Sequence, residues 1–570
     1  MTTVSSSTSS TSTTSTSSTD YLSFDTEALV EAKLASRYAR IDSLEAEASA
    51  NETKIAAYQD MQDLLQTLTT SLDALRANPS SAGKTTDVFR DRAAYLTSST
   101  SASADTYMSA TVEEGTDIGT HTVEITQIAK ANIVASAAQD SKYDDLDVEG
   151  VITLGTKRGT TAGGTAQITI TRTMSLADMA DAINAETTTT GVKASVMQVS
   201  DGSYLLVLTT SETGQTIIMS DTSGTALSST LGMGTAAADG TITVDADNVL
   251  QAAQDAVFKV DGVQITRATN DVDDVLDGVT LHLYAAPTTA TTLTLEIDND
   301  LTGVKKAINS FVEAYNAFRD FVLTNQSTAS DGTASDGATL FGDATLRDTA
   351  QQVQGILSSG VDEASLALLG ITFDENNKLT VDDSALSNAL LNDFDAIRTL
   401  FSYSMTASSG DLGLVRHPDS SLDFTLDLTV SGDTLTAAVG GNTALFDVSG
   451  SAGSGWTLTG KAGTEYEGLT LVYTGRTSKA ITVELSQGIA DQLYNRVDKV
   501  ANESGGTLYD LIGSLKSANS DLDDRISALE SSTSSYKSSL TTMYANIASR
   551  LATAQTTLDL LKALLNADSN

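Results

Sequence analysis

Three short stretches carry residues of the kind that bind phosphate, metal or nucleotide. Each departs from its pattern where the chemistry is decided. Gly83-Lys84-Thr85 matches the end of a phosphate-binding loop, in which backbone N–H groups and a lysine cradle phosphate oxygens, but the glycine needed five residues earlier is Asn78. Asp374-Glu375-Asn376-Asn377-Lys378-Leu379 begins like a calcium loop, yet Lys378 stands at position five, Leu379 replaces the glycine of position six, and Ala385 replaces the closing glutamate. A turn between two strands fits that stretch better. Gly232-Met233-Gly234 lacks the third glycine and the helix of a dinucleotide site. The histidines His121, His282 and His417 are far apart, without metal-ligand spacing. No glycine-flanked nucleophile elbow announces a Ser/His/Asp triad. With 74 Asp and Glu, a pair of carboxylates carries no information. The expectation is a protein without catalytic residues, cofactor or metal.

What the chain does spend its residues on is long helices. From Leu508 to Leu565 apolar side chains recur in alternating steps of three and four, with one irregular step from Ile547 to Leu551: Ile512, Leu515, Leu522, Ile526, Leu529, Tyr536, Leu540, Met543, Ile547, Leu551, Ala554, Leu558, Leu561 and Leu565. Polar Asn519 and Thr533 fill two rungs. A seam repeating near every 3.5 residues belongs to a helix that supercoils against partners. At 1.5 Å per residue it makes a rod of roughly 85 Å. Residues 26–75 repeat the pattern with Leu34, Ile41, Leu44, Ile55, Tyr58, Leu65, Leu68, Leu72 and Leu75, with Gln62 in one rung. Two successive steps of three, Gln62 to Leu65 to Leu68, read as a stammer. Two such helices at opposite ends suggest a leg made by paired termini, with the middle as a head. The plainer alternative is that each helix packs in an ordinary bundle.

A length of 570 residues allows about three to five domains. The net charge of −41 argues against nucleic acid or an anionic membrane as partner. Cysteine is absent, so disulfides and thiolate chemistry are excluded. Residues 1–20 are Ser or Thr except Met1, Val4 and Asp20, too polar to bury a core. The N-terminus has no basic, apolar leader, and no apolar run is long enough to span a bilayer.

In order, the first helix starts at Asp25, a good N-cap, and ends before Asn78-Pro79. Residues 79–105 read as polar connection. Thr122 to Ile128 alternates like a half-buried strand, and β patterning continues to about Asp300. One helix, Ser175 to Asn184, interrupts it. Val260-Asp261-Gly262-Val263 reads as a hairpin with an Asp-Gly turn. Helical spacing returns at Val304 to Phe321, where Phe311 and Tyr315 share a core face, then at Leu346 to Leu357 and Leu386 to Phe401. Leu379 to Val381 is a short strand, residues 410–485 are β again, and helix resumes at Gly488 with a break at Ser504-Gly505-Gly506. The fold class is α+β multidomain: long terminal helices forming a coiled-coil leg and helical stalk, with inserted antiparallel β head domains. The boundaries are 1–24, a disordered Ser/Thr-rich start; 25–78, leg helix; 79–300, β-rich head; 301–402, helical stalk; 403–486, β-rich insert; and 487–570, C-terminal stalk and leg helices.

Read together, several blocks resemble the flagellar hook-associated protein 2 family. They are Phe24-Asp25-Thr26-Glu27-Ala28-Leu29, Val123 to Ala129, Ala256 to Val263, Phe311-Val312-Glu313-Ala314-Tyr315-Asn316, Leu340-Phe341-Gly342-Asp343, Leu369 to Asp374, and Ser486-Gln487-Gly488-Ile489-Ala490. Ala182-Ile183-Asn184-Ala185 with Gly191 to Val196 is similar to a repeat shared by flagellins and their associated proteins. Residues 136–165 and 220–250 show no match. The resemblance implies a structural cap at the distal end of the flagellar filament that retains exported flagellin and promotes its polymerisation. It implies a homo-oligomeric ring of about five subunits, contacts with hook–filament junction proteins and an export chaperone, and export by the flagellar type III route without a cleaved signal. Neither nucleic acid nor membrane insertion enters. The candidate oligomerisation or filament-docking residues are Leu34, Ile41, Leu44, Ile547, Leu551, Leu558 and Leu561. An adhesin at the flagellar tip is the alternative, and a hydrolase carried in the β head a third; exposed aromatics would favour the adhesin, and Trp456 is the only tryptophan.

Overall fold

The computed structural model describes residues 25–76, 87–361, 365–418 and 420–567, with side chains as far as 565. The Ser/Thr-rich start, Asn78-Pro79 and Gly83-Lys84-Thr85 lie outside them. The chain forms two compact units, residues 81–307 and residues 1–80 with 308–570.

The unit 81–307 holds two cores. One lies between a five-stranded antiparallel sheet, in the order Arg92–Ser98, Leu293–Asn299, Gly119–Gln127, Ala256–Val260, Val263–Arg267, and a three-stranded sheet of Asp271–Leu276, Val279–Leu283 and Met108–Val112. Phe258, Leu281, Leu293 and Leu295 are fully buried there. The strand Arg92–Ser98 corrects the expectation of a polar connection: its residues are half-buried at best, so they show no apolar alternation, and pairing with Leu293–Asn299 holds it in place. The hairpin turn takes φ 51° at Asp261 and φ 80° at Gly262, as a type I′ turn requires. Asp261 also accepts hydrogen bonds at 2.8 Å from Thr122 N and, through its other oxygen, from His121 Nδ1. Those bonds lower the Asp261 carboxyl below its usual range, the His121 contact contributing most.

The second core lies between two sheets and a helix. One sheet orders Val249–Gln251, Ile133–Ala135, Ser203–Thr210 and Val192–Ser200; the other orders Thr161–Ile170, Gly150–Arg158 and Thr216–Ser223. The helix Leu176–Ala185 is started by a reciprocal capping box between Ser175 and Asp178. It buries Leu176, Met179 and Ile183 against Leu154, Leu206 and Leu208.

The other unit is helical with one β insert. The helix Leu301–Gln326 buries Ile308, Phe311, Tyr315 and Phe318. Asn316 clamps the strand Leu379–Val381 by donating to Leu379 O and accepting from Leu379 N, both at 2.8 Å. Asp374 Oδ1 accepts from Asn376 N and Lys378 N, so this carboxylate closes the turn between Ile371–Phe373 and Leu379–Val381. The single helix expected over 386–401 is instead two, Asp383–Asn392 and Phe394–Phe401, broken at Asp393 with φ −131°. Asn392-Asp393 are weak helix formers, and the break leaves both Leu390 and Ile397 buried. The insert is two four-stranded antiparallel sheets around Trp456, Leu458, Tyr473 and Ile481. Trp456 is 1% exposed and stacks on Tyr473, so it is a core residue and offers no surface for a ligand.

Candidate functional site

The terminal helices, Thr26–Asp73 and Thr507–Ala567, run antiparallel against each other. The first is capped by Asp25, whose carboxylate accepts from Ala28 N at 3.0 Å. Polar pairs along the seam establish its register. Asn519 accepts from Asn51 Nδ2 at 2.9 Å and donates to Ala48 O at 3.1 Å. Arg37 donates to Ser532 at 2.9 Å and lies 4.7 Å over the Tyr536 ring. Lys537 donates to Glu31 at 2.7 Å, a contact that raises the lysine above its usual range. A polar group in an apolar seam costs stability and selects one alignment. Asn519 does this with a partner, whereas Thr533 is buried with its hydroxyl unpaired among the described residues.

Past the middle, the first helix exchanges partners. Gln62 donates to Ala501 O at 3.0 Å, the last residue of the helix Ile489–Ala501. Met61, Leu65, Leu68 and Leu72 are all fully buried. The stammer at Gln62–Leu65–Leu68 therefore lies where one seam ends and another begins. Tyr58 donates to Asp343 at 2.6 Å, and Asp343 caps the helix Ala344–Ser358. Burial pushes the Asp343 carboxyl up, but the Tyr58 hydroxyl, Leu346 N–H and Lys54 together hold it below its usual range. Arg76 donates to the fully buried Asp491 at 2.8 Å and lies 3.6 Å over the Tyr494 ring. Gly488 starts that helix against the Phe401 carbonyl, where a Cβ would come within 2.2 Å of backbone.

At the opposite end the final helix extends past the described start of the first helix. The seam's last apolar cluster is Val30, Leu34 and Leu540, flanked by Tyr38 and Tyr544. The final helix continues for about six turns beyond it. Ile547 is 40% exposed, Leu558 49%, Leu561 54% and Leu565 67%. Leu551 is half-buried. The seven candidate residues thus divide. Leu34, Ile41 and Leu44 are buried within the chain, whereas Ile547, Leu558 and Leu561 face solvent, and the two sets do not meet. The antiparallel register is the reason: Leu34 and Val30 already meet Leu540 within about two turns of the first helix's start at Thr26, and the final helix runs on to Ala567. Asn51, Asp343, Arg76 and Asp491 were missed as wiring. Their only signal was polarity on or beside an apolar stripe, which does not name a partner.

Three family descriptions match this chain. Flagellar hook-associated protein 2 C-terminus matches residues 253–555, flagellar hook-associated protein 2 N-terminus residues 22–132, and flagellin hook IN motif residues 151–222. The last corrects the expectation of no match for residues 151–165 and 220–222; within Gly150–Arg158 only Ile152 and Leu154 mark the core with long apolar side chains, too few to stand out. The A-type flagellar hook-associated protein 2 of Pseudomonas aeruginosa is 27% identical over 410 residues, 69% of this chain and 79% of its own. The flagellar hook-associated protein 2 of Escherichia coli K12 is 29% identical over 392 residues, 66% of this chain and 78% of its own. The crystal structure of the flagellar cap protein FliD D1-D2-D3 domains from Escherichia coli aligns with a TM-score of 0.43 at 29% identity, covering 61% of this chain and 90% of that one.

Proposed function

The chain belongs to the flagellar hook-associated protein 2 family, and from that premise we propose how its parts divide the work of a filament cap. The protein is a structural cap at the tip of the bacterial flagellar filament. The paired helices are its leg. The apolar strip from Ile547 to Leu561 is the foot, docking on the filament end or on a neighbouring subunit. The unit 81–307 covers arriving flagellin while it folds. The observation that carries this division is the continuity of one seam, which buries Leu34, Leu522 and Leu540 where the two helices pair and exposes Ile547, Leu558 and Leu561 beyond. An uncovered apolar strip of this length is a docking surface in a protein that must remain soluble.

A ring of about five copies, contacts with junction proteins and an export chaperone, and export by the flagellar type III route complete the proposal. Within the described residues no helix is long and apolar enough to cross a membrane. The adhesin alternative gains nothing from Trp456, which is buried. Deletion of the gene tests the proposal: cells should lose motility and shed flagellin into the medium. Normal filaments on the deletion strain would refute it.

A further inference from the structure

Past its last apolar cluster the seam of the final helix continues through Ile547, Leu551, Leu558 and Leu561. Ile547, Leu558 and Leu561 are 40%, 49% and 54% exposed, and Leu551 is half-buried. The register of the helix pair determines which residues of the chain lie nearest this strip. Asn51 meets Asn519, Arg37 meets Ser532 and Glu31 meets Lys537, so the two helices advance one residue against one in opposite directions. Continued to the start of the first helix, that pace brings Asp25 beside Tyr544, one turn short of Ile547. Tyr544 packs against the cluster of Val30, Leu34 and Leu540, as this alignment requires.

Asp25 caps the first helix in an extended conformation, with φ −71° and ψ 93°. An extended chain advances about 3.3 Å per residue and a helix about 1.5 Å. Carried on in that conformation, the chain passes about two residues of the final helix with each of its own, which sets Phe24 beside Ile547 and Leu22 beside Leu551. Alternate side chains of an extended chain share a face, so Phe24 and Leu22 point one way and Ser23 the other. The composition fits this alignment. Of residues 2–24 only Val4, Tyr21, Leu22 and Phe24 are apolar. Residues 5–19 are Ser and Thr throughout and bring no large apolar side chain to Leu558 or Leu561.

We propose that Phe24 and Leu22 lie over Ile547 and Leu551 of the same chain, closing the first two rungs of the strip. The free docking surface then starts at Leu558. Two features select the chain's own segment as the occupant. Its large apolar residues gather at the positions that the register sets against Ile547 and Leu551. It is also tethered one turn away from them, at an effective concentration that a separate partner does not match. The inference rests on reading Ile547 to Leu561 as the docking strip, and it says which part of that strip is available.

The chain has no cysteine, so introduced thiols report on this contact alone. In the isolated full-length protein, Leu22→Cys with Leu551→Cys should form an intramolecular disulfide on mild oxidation at least about tenfold faster than Leu22→Cys with Leu561→Cys. Labelling of a lone Leu551→Cys thiol should quicken at least about threefold when Leu22→Ser and Phe24→Ser are added, while a lone Leu561→Cys thiol keeps its rate. Equal oxidation rates for the two pairs, disulfides that join two chains in place of one, or a Leu551→Cys rate indifferent to Leu22→Ser and Phe24→Ser would each overturn the proposal. These rates are read on the isolated chain. A strip that proves dispensable for motility would remove the docking reading and leave them as they are.

Discussion

The two ends of the long helix pair are written in the same pattern and meet opposite fates. Leu34, Leu65, Leu68 and Leu72 on the first helix are completely buried. Leu558 and Leu561 on the last recur at the same spacing and are about half exposed. Burial of a leucine stabilises by about 1.5–3 kcal/mol, so the first set holds the fold. The second set leaves that free energy for a contact outside the chain. A heptad states that a partner is wanted; whether the partner lies in the same chain depends on register and on where the other helix begins.

Removing residues 543–570 should break this comparison most sharply. The truncated protein should keep the thermal transition and β circular dichroism of the unit 81–307, yet fail to restore motility to a deletion strain. Full complementation would show that the foot is dispensable.

Single leucines should separate the two regions next. Leu65→Ala, in the fully packed seam, should cost about 2–5 kcal/mol in urea unfolding. Leu561→Ala should stay within about 0.5 kcal/mol. Equal losses would mean that the foot is buried within the single chain after all.

The third effect depends on pH. The folded-state pKa of Asp343 is depressed, so its contribution is fully present above the unfolded value of about 3.9 and is lost as pH falls through the folded value. Asp343→Asn should lower stability at pH 7 and narrow its gap to the unsubstituted protein as pH drops below about 4. A gap that stays constant through that window would remove Asp343 from the pH dependence.

The smallest effect belongs to the polar rung. Asn519→Ala should cost about 1 kcal/mol. Combined with Asn51→Ala in a double-mutant cycle, it should show coupling of at least about 0.5 kcal/mol. Strict additivity would mean that the rung selects no register.

Much of this architecture is legible residue by residue. Local rules sufficed wherever the determinant lay within a few positions. The 3.6-residue spacing of Ile308, Phe311, Tyr315 and Phe318 placed a helix, the Asp261-Gly262 pair placed a turn, and Asp25 placed a cap. These follow from backbone sterics and side-chain periodicity, which a sequence displays directly. The tertiary structure alone decided that Arg92–Ser98 is a strand, because its determinant, Leu293–Asn299, lies some two hundred residues away. It alone decided that Asn519 meets Asn51, that Leu34 is used within the chain while Leu561 is exposed, and that Asn184 closes the edge of a sheet at Ala194. Each of these is a pairing between distant segments. Periodicity states which face of a segment is apolar and leaves open what that face will touch.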